Sequence, residues 1–180
     1  MKKLFLLPAF VGFAFLANAQ SPTYKPFKVD LNFGYAIPSS GSGTKAGVSF
    51  AVEPHYRITD AISLGLRLEA AGLGNVDETD GDTHAKISLL TSYCPTAEYY
   101  FSENKFRPFA GVGAGLFTQK ATVAATGEDA VSSTATRFGF FPRAGFEFGH
   151  LRMSAAYNVL GSGDNYTNLT IGFFLGGGKK

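Results

Sequence analysis

Tryptophan is absent from this 180-residue chain, and cysteine occurs once, at Cys94. A single thiol excludes an intrachain disulfide and is no metal site by itself, so Cys94 is expected to be a small buried residue. Charge is scarce as well. Asp, Glu, Lys and Arg make up 17% of the residues, against roughly 25% in ordinary soluble domains. Setting aside Lys2 and Lys3 leaves 14 basic and 14 acidic residues, which excludes the basic excess of a nucleic-acid-binding domain. Such neutrality is a solubility liability for a free protein and harmless where lipid covers the surface. Helical membrane spans are missing too. The apolar stretch Leu4–Ala17 falls short of the ~20 residues a helix needs to cross a bilayer, and no later segment approaches that length. Preceded by Lys2-Lys3 and followed by the small-x-small sequence Ala17-Asn18-Ala19, it reads as a signal peptide over 1–19, cleaved to leave 20–180. No cysteine follows that cleavage point, so lipoprotein processing is not expected.

Phenylalanine (18) and glycine (22) are plentiful. Beyond the leader, apolar and polar residues alternate over stretches of ten to fourteen, broken by Gly, Ser, Asp, Asn or Thr. Period two is the strand signal, and no stretch of comparable length carries helical spacing. Eight such segments fall at about 27–38, 46–58, 62–73, 86–101, 106–118, 136–148, 151–160 and 166–175, with no linker between them. Tight connections follow the second, fourth and sixth: Thr59-Asp60-Ala61, Ser102 to Lys105, and Gly149-His150. Long polar connections, 74–85 and 119–135, follow the third and fifth. Short turns on one rim and long loops on the other are the layout of an outer-membrane barrel, with the short turns and both termini on the periplasmic side.

Sorting by parity separates two faces. Phe27, Val29, Leu31, Phe33 and Tyr35 share one face of the first segment, with Lys28, Asp30 and Asn32 on the other. The same division recurs in later segments. It collects Asp30, Glu53, His55, Arg57, Arg67, Glu69, Glu98, Arg107, Arg137, Arg143, Glu147 and Arg152, together with Lys28, on the charged face. All six arginines lie there, as expected if the apolar face meets lipid, where an Arg at mid-bilayer costs about 2–4 kcal/mol. Aromatics also sort by height. Phe27, Tyr56, Tyr99, Phe101, Phe106, Phe148 and Phe173 lie on the apolar face beside the short turns, where a membrane girdle belongs, and Tyr35, Phe138, Tyr157 and Tyr166 are candidates for an outer ring. The reading is all-β: a single closed antiparallel up-and-down transmembrane β-barrel of eight strands.

Two stretches carry a family resemblance. Tyr99 to Phe117 (YYFSENKFRPFAGVGAGLF) resembles the central hairpin of the small, porin-like outer-membrane β-barrel family, with an aromatic pair, a short turn, then Arg-Pro-Phe and alternating glycines. Tyr56 to Gly65 is similar to that family's other periplasmic hairpin. The resemblance implies a fold and a bacterial outer-membrane location, and no defined activity. It also implies export and assembly machinery as partners, although Phe173 is followed by seven further residues where members often finish on an aromatic residue.

Eight strands leave an interior just wide enough for side chains. Seven cations and five anions packed there are expected to pair into a plug, because an unpaired buried charge costs several kcal/mol. No cofactor, metal or catalytic residue is expected. A lipid A-modifying enzyme of this size needs a Ser beside a His, and only His150 and Ser154 come near that pattern, with no acid to orient the imidazole. The cluster Asp77-Glu78-Thr79-Asp80-Gly81-Asp82 lacks the ligand spacing of an EF-hand and reads as a solvated acidic loop. Gly111, Gly113 and Gly115 are expected to make room for bulky groups across the lumen. The function expected is structural or surface-interacting, with an extracellular ligand meeting loops 74–85 and 119–135. The alternative is a soluble, lipocalin-like barrel carrying an apolar ligand, which turns its apolar face inward.

Overall fold

The computed structural model describes residues 23–39, 45–79, 82–125, 131–161 and 165–179; for 74–79, 82–87, 123–125 and 131 it describes the backbone alone. The signal-peptide expectation for 1–19 lies outside the described residues, as do Asp80, Gly81 and the side chains of Asp77, Glu78, Asp82 and His84.

Eight strands run in chain order: β1 (Phe27–Pro38), β2 (Lys45–Arg57), β3 (Ile62–Thr79), β4 (Asp82–Tyr100), β5 (Phe106–Ala125), β6 (Val131–Phe148), β7 (Leu151–Asn158) and β8 (Tyr166–Gly176). Each pairs antiparallel with the next, and β8 closes on β1 from Lys28↔Gly176 to Pro38↔Tyr166. The barrel is the closed up-and-down, eight-stranded transmembrane type that the alternation called for. Its tight turns have local causes. The Thr59 hydroxyl accepts the Ile62 amide at 2.9 Å, and the Ser102 hydroxyl accepts the Asn104 amide at 3.1 Å. Between β6 and β7, Gly149 takes φ 62°, a left-handed value that a side chain disfavours.

Proline marks gaps in the ladder, because it has no amide to donate, whereas the β2–β3 register shift between Lys45 and Val48 involves none. The β2–β3 pairing lapses between Val52↔Leu68 and His55↔Gly65, around Pro54, and resumes in the same register. The β4–β5 pairing likewise lapses between Tyr93↔Leu116 and Thr96↔Gly113, around Pro95, and resumes in the same register. The β6–β7 ladder stops at Arg143↔Ala156, one residue short of Pro142, and resumes only as a bridge between Phe140 and Val159.

The two faces have opposite polarity to a soluble carrier. Phe33, Val48, Val112, Leu116, Phe138, Phe140, Ile171 and Leu175 are exposed on the outside, while Lys28, Asp30, Glu53, Arg57, Glu98 and Arg152 are buried inside. That outer belt belongs against lipid tails. The interior is not uniformly charged, however. Toward the outer rim, Ala36, Ala71, Leu73, Leu90, Cys94, Phe117, Phe141, Ala156, Leu160 and Tyr166 form a buried apolar cluster. Tyr166 is therefore a lumen residue, 2% exposed, and is not part of an outer ring. Tyr35, Phe138 and Tyr157 do face outward, and Tyr93 joins them.

The segments 74–85 and 119–135 differ from the expected loops. β3 and β4 stay paired to Thr79↔Asp82, and β5 and β6 to Val123↔Val131. A transmembrane strand needs ~9–11 residues, and β3 to β6 carry 18 to 20. Their surplus rises beyond the membrane as a four-stranded sheet. β7, with 8 residues, does not follow it.

Candidate functional site

Inside the barrel, side chains of inward parity build three tiers. At the short-turn end, the guanidinium groups of Arg57 and Arg107 lie between two aromatic rings, 4.7 and 4.4 Å from the centre of Tyr24 and 4.9 and 4.5 Å from that of Tyr100. The N-terminal segment places Tyr24 there: Lys25 N–H donates to the Gly178 carbonyl, the Thr23 amide and hydroxyl donate to Asp60, and the Tyr24 hydroxyl donates to the Glu103 carbonyl. Chain segments from both ends thus close the periplasmic mouth.

The middle tier is ionic. Arg152 meets Asp30 at 3.3 Å and Glu147 at 2.9 Å, contacts Glu98, and stacks 4.0 Å over Phe109. Arg143 joins Glu53 at 2.6 Å to Glu98 at 2.7 Å. Lys28 reaches Asp30, Glu147 and the Tyr100 hydroxyl. His55 sits among three carboxylates, its Nε2 3.1 Å from Asp30 and 3.5 Å from Glu53 and its Nδ1 3.8 Å from Glu98. Charges drawn from five strands meet here because each strand offers its polar parity at one height.

In the outer tier, Arg67 lies 3.5 Å over the Phe141 ring, donates to Asn158 Oδ1 at 2.7 Å and pairs with Glu69 at 3.4 Å. Glu69 also accepts the Tyr166 hydroxyl at 2.6 Å and Asn168 Nδ2 at 2.9 Å. Arg137 stands further out, half-buried and opposite Phe117 in the ladder.

The expected charged residues are thus gathered in one connected interior, Arg137 at its edge. On the outside, Phe27, Tyr56, Tyr99, Phe101, Phe106, Phe148 and Phe173 all face outward near the short-turn rim, from 36% to 64% exposed. Across the lumen and rim, the described residues hold no group of His, Cys, Asp and Glu able to bind a metal ion.

The sequence matches the outer membrane protein beta-barrel domain family over residues 5–176. The chain belongs to that family, and the bacterial outer membrane is its location. No curated protein sequence matches it. Among solved structures, it is similar to Ail, the attachment invasion locus protein of Yersinia pestis, in complex with a heparin analogue, at 11% identity and TM-score 0.60, covering 85% of this chain and 99% of that one. It is likewise similar to Neisserial surface protein A, at 21% identity and TM-score 0.57 over 83% and 96% of the two chains. The outer membrane protein OprG from Pseudomonas aeruginosa matches at 14% identity and TM-score 0.55 over 88% and 100%. At these identities the likeness is one of fold.

In this outer-membrane barrel the residues weighed for catalysis have other partners. His150 Nδ1 meets the Phe174 carbonyl at 3.1 Å, and the Ser154 hydroxyl meets that of Thr170 at 2.7 Å. Strand-five glycines serve neighbours on adjacent strands and not groups across the lumen: a Cβ at Gly113 would lie 2.2 Å from the Phe141 ring, and one at Gly115 would meet the Tyr93 carbonyl. Sequence reasoning missed the lumen aromatics Tyr24, Tyr100, Phe109, Phe117, Phe141 and Phe174. Parity carries the signal for those within strands, since all share the inward register of the charges.

Proposed function

We propose that this barrel is a closed surface protein of the outer membrane whose projecting sheet binds an extended polypeptide by strand addition. The observation that carries this reading is the outer edge of β6. Among the described residues, Val131–Gly139 is paired with β5 and has no ladder to β7. Natural sheets shield such edges with proline, lysine or inward charge. This edge, Val-Ser-Ser-Thr-Ala-Thr-Arg-Phe-Gly, carries Arg137 as its one charge. Backbone groups on an open edge supply affinity to an added strand, and alternate side chains supply selectivity. The paired charges of the lumen then serve as a structural plug, and the aromatics at the short-turn rim as the periplasmic girdle. Export through a cleaved 1–19 leader and insertion by barrel assembly machinery complete the reading.

Charge favours a peptide over a sulfated polysaccharide. The hairpin sequences bear Asp77, Glu78, Asp80, Asp82, Glu128 and Asp129 against Lys86 and Lys120, and a polyanion would be repelled. The test is selection from a displayed library of random peptides against the barrel in micelles. Binders are expected to be lost when 119–135 is replaced by a two-residue turn, with the barrel still folded by its gel mobility before heating. Binders indifferent to that replacement would sink the proposal.

A further inference from the structure

Charge does not balance at the periplasmic end of the lumen. Among the described residues, Arg57 and Arg107 have a single carboxylate contact, Glu147 Oε2 at 3.6 Å from each, and Glu147 already holds Lys28 and Arg152. All three guanidinium nitrogens of Arg57 are buried without a hydrogen-bond partner, as are Nε and Nη2 of Arg107. Arg107, 5% exposed, forms the inner wall of a cavity of about 180 Å³ that opens at the rim. Tyr24, Lys105, His150, Phe174 and Lys179 are among its other walls, and among the described residues no carboxylate lines it.

We propose that this cavity binds a phosphate oxyanion, and that the headgroup of an inner-leaflet lipid supplies it. Two exposed lysines and one buried arginine line a space of about six water volumes at ~30 Å³ each. That holds a hydrated phosphate group and excludes a polymeric anion from its interior. Lysine and arginine are the side chains that bind phosphate most strongly, one as a point charge and the other as a planar fork. Position selects the lipid. Lys105 precedes the outward Phe106, and Gly149-His150 follows the outward Phe148, so the cavity opens just beyond aromatic rings that sit at headgroup level. From there the lysine stems reach the phosphate plane.

The experiment follows the amide resonances of Gly149, Gly177 and Gly178 in the barrel held in zwitterionic detergent, titrated with short-chain phosphatidylglycerol or with inorganic phosphate. Phosphatidylglycerol is expected to shift these three amides saturably and more tightly than phosphate does. Replacing both lysines, Lys105→Gln with Lys179→Gln, removes two charge-assisted contacts and should weaken binding by about tenfold or more. The equivalent change at the far rim, Lys45→Gln with Lys120→Gln, should leave binding unaltered. Equal affinity for inorganic phosphate would keep the site and overturn the lipid as its source. If neither probe moves those amides, or the Lys105/Lys179 variant binds like the parent while folded, the site itself is refuted.

Discussion

Four cations crowd one carboxylate at Glu147: Lys28, Arg57, Arg107 and Arg152 all lie within 3.6 Å of it. Removing it by Glu147→Ala should lower stability by about 3–5 kcal/mol, the scale for breaking a buried pair. Denaturant unfolding in micelles measures this, and a change under 1 kcal/mol would mean water reaches the cluster freely. Arg67 illustrates the other way this lumen holds a cation, against the Phe141 ring at 3.5 Å. Gly113 permits that ring's position, because a Cβ there would lie 2.2 Å from it. Gly113→Val is therefore expected to displace Phe141 and cost about 1–3 kcal/mol, as overpacking does. An unfolding midpoint equal to the parent's would show that the ring simply moves aside.

At the scale of the strand, parity was the legible quantity. β1 was readable at its full length, Phe27–Pro38, because one face meets lipid and the other the ionic lumen. The outer halves of β5 and β6 were not readable, and the reason is the same contrast. From Ser132 to Thr136 every side chain is exposed, so water lies on both sides and no alternation survives to be seen. The charged lumen set was legible because charge has nowhere else to go in a membrane strand. The lumen aromatics show there only through their parity, which matches that of the charges, since a ring by itself suits either face. Tyr166, for one, faces Glu69. Leu66 tests the parity assignment of β3 directly. It is outward and 40% exposed, opposite Pro95. Leu66→Arg should impair insertion by about 2–4 kcal/mol, while Leu66→Phe should assemble as the parent does. Equal heat resistance of the two variants in detergent gels would contradict the assignment.

Over the whole molecule, a charged middle tier and an apolar outer tier together fill the lumen, and an eight-stranded ring has no width left for a channel. In planar bilayers the barrel should show no stable conductance at the level of a sixteen-stranded porin. Steady currents of that size would require a larger assembly than one ring. The pairing of β8 with β1 has a further consequence, a kinetic one. Seven of the eight seams join strands adjacent in the chain, whereas the eighth joins its two ends. Lys28 and Glu147, whose contact helps bind the N-terminal strand into the interior, are 119 positions apart. Loop-closure entropy makes such distant contacts slow to form. The seam is thus expected to form last, and until it does the ring presents two open edges. A chain that stops before Tyr166 lacks every β8 partner of β1 and is expected to leave that border open.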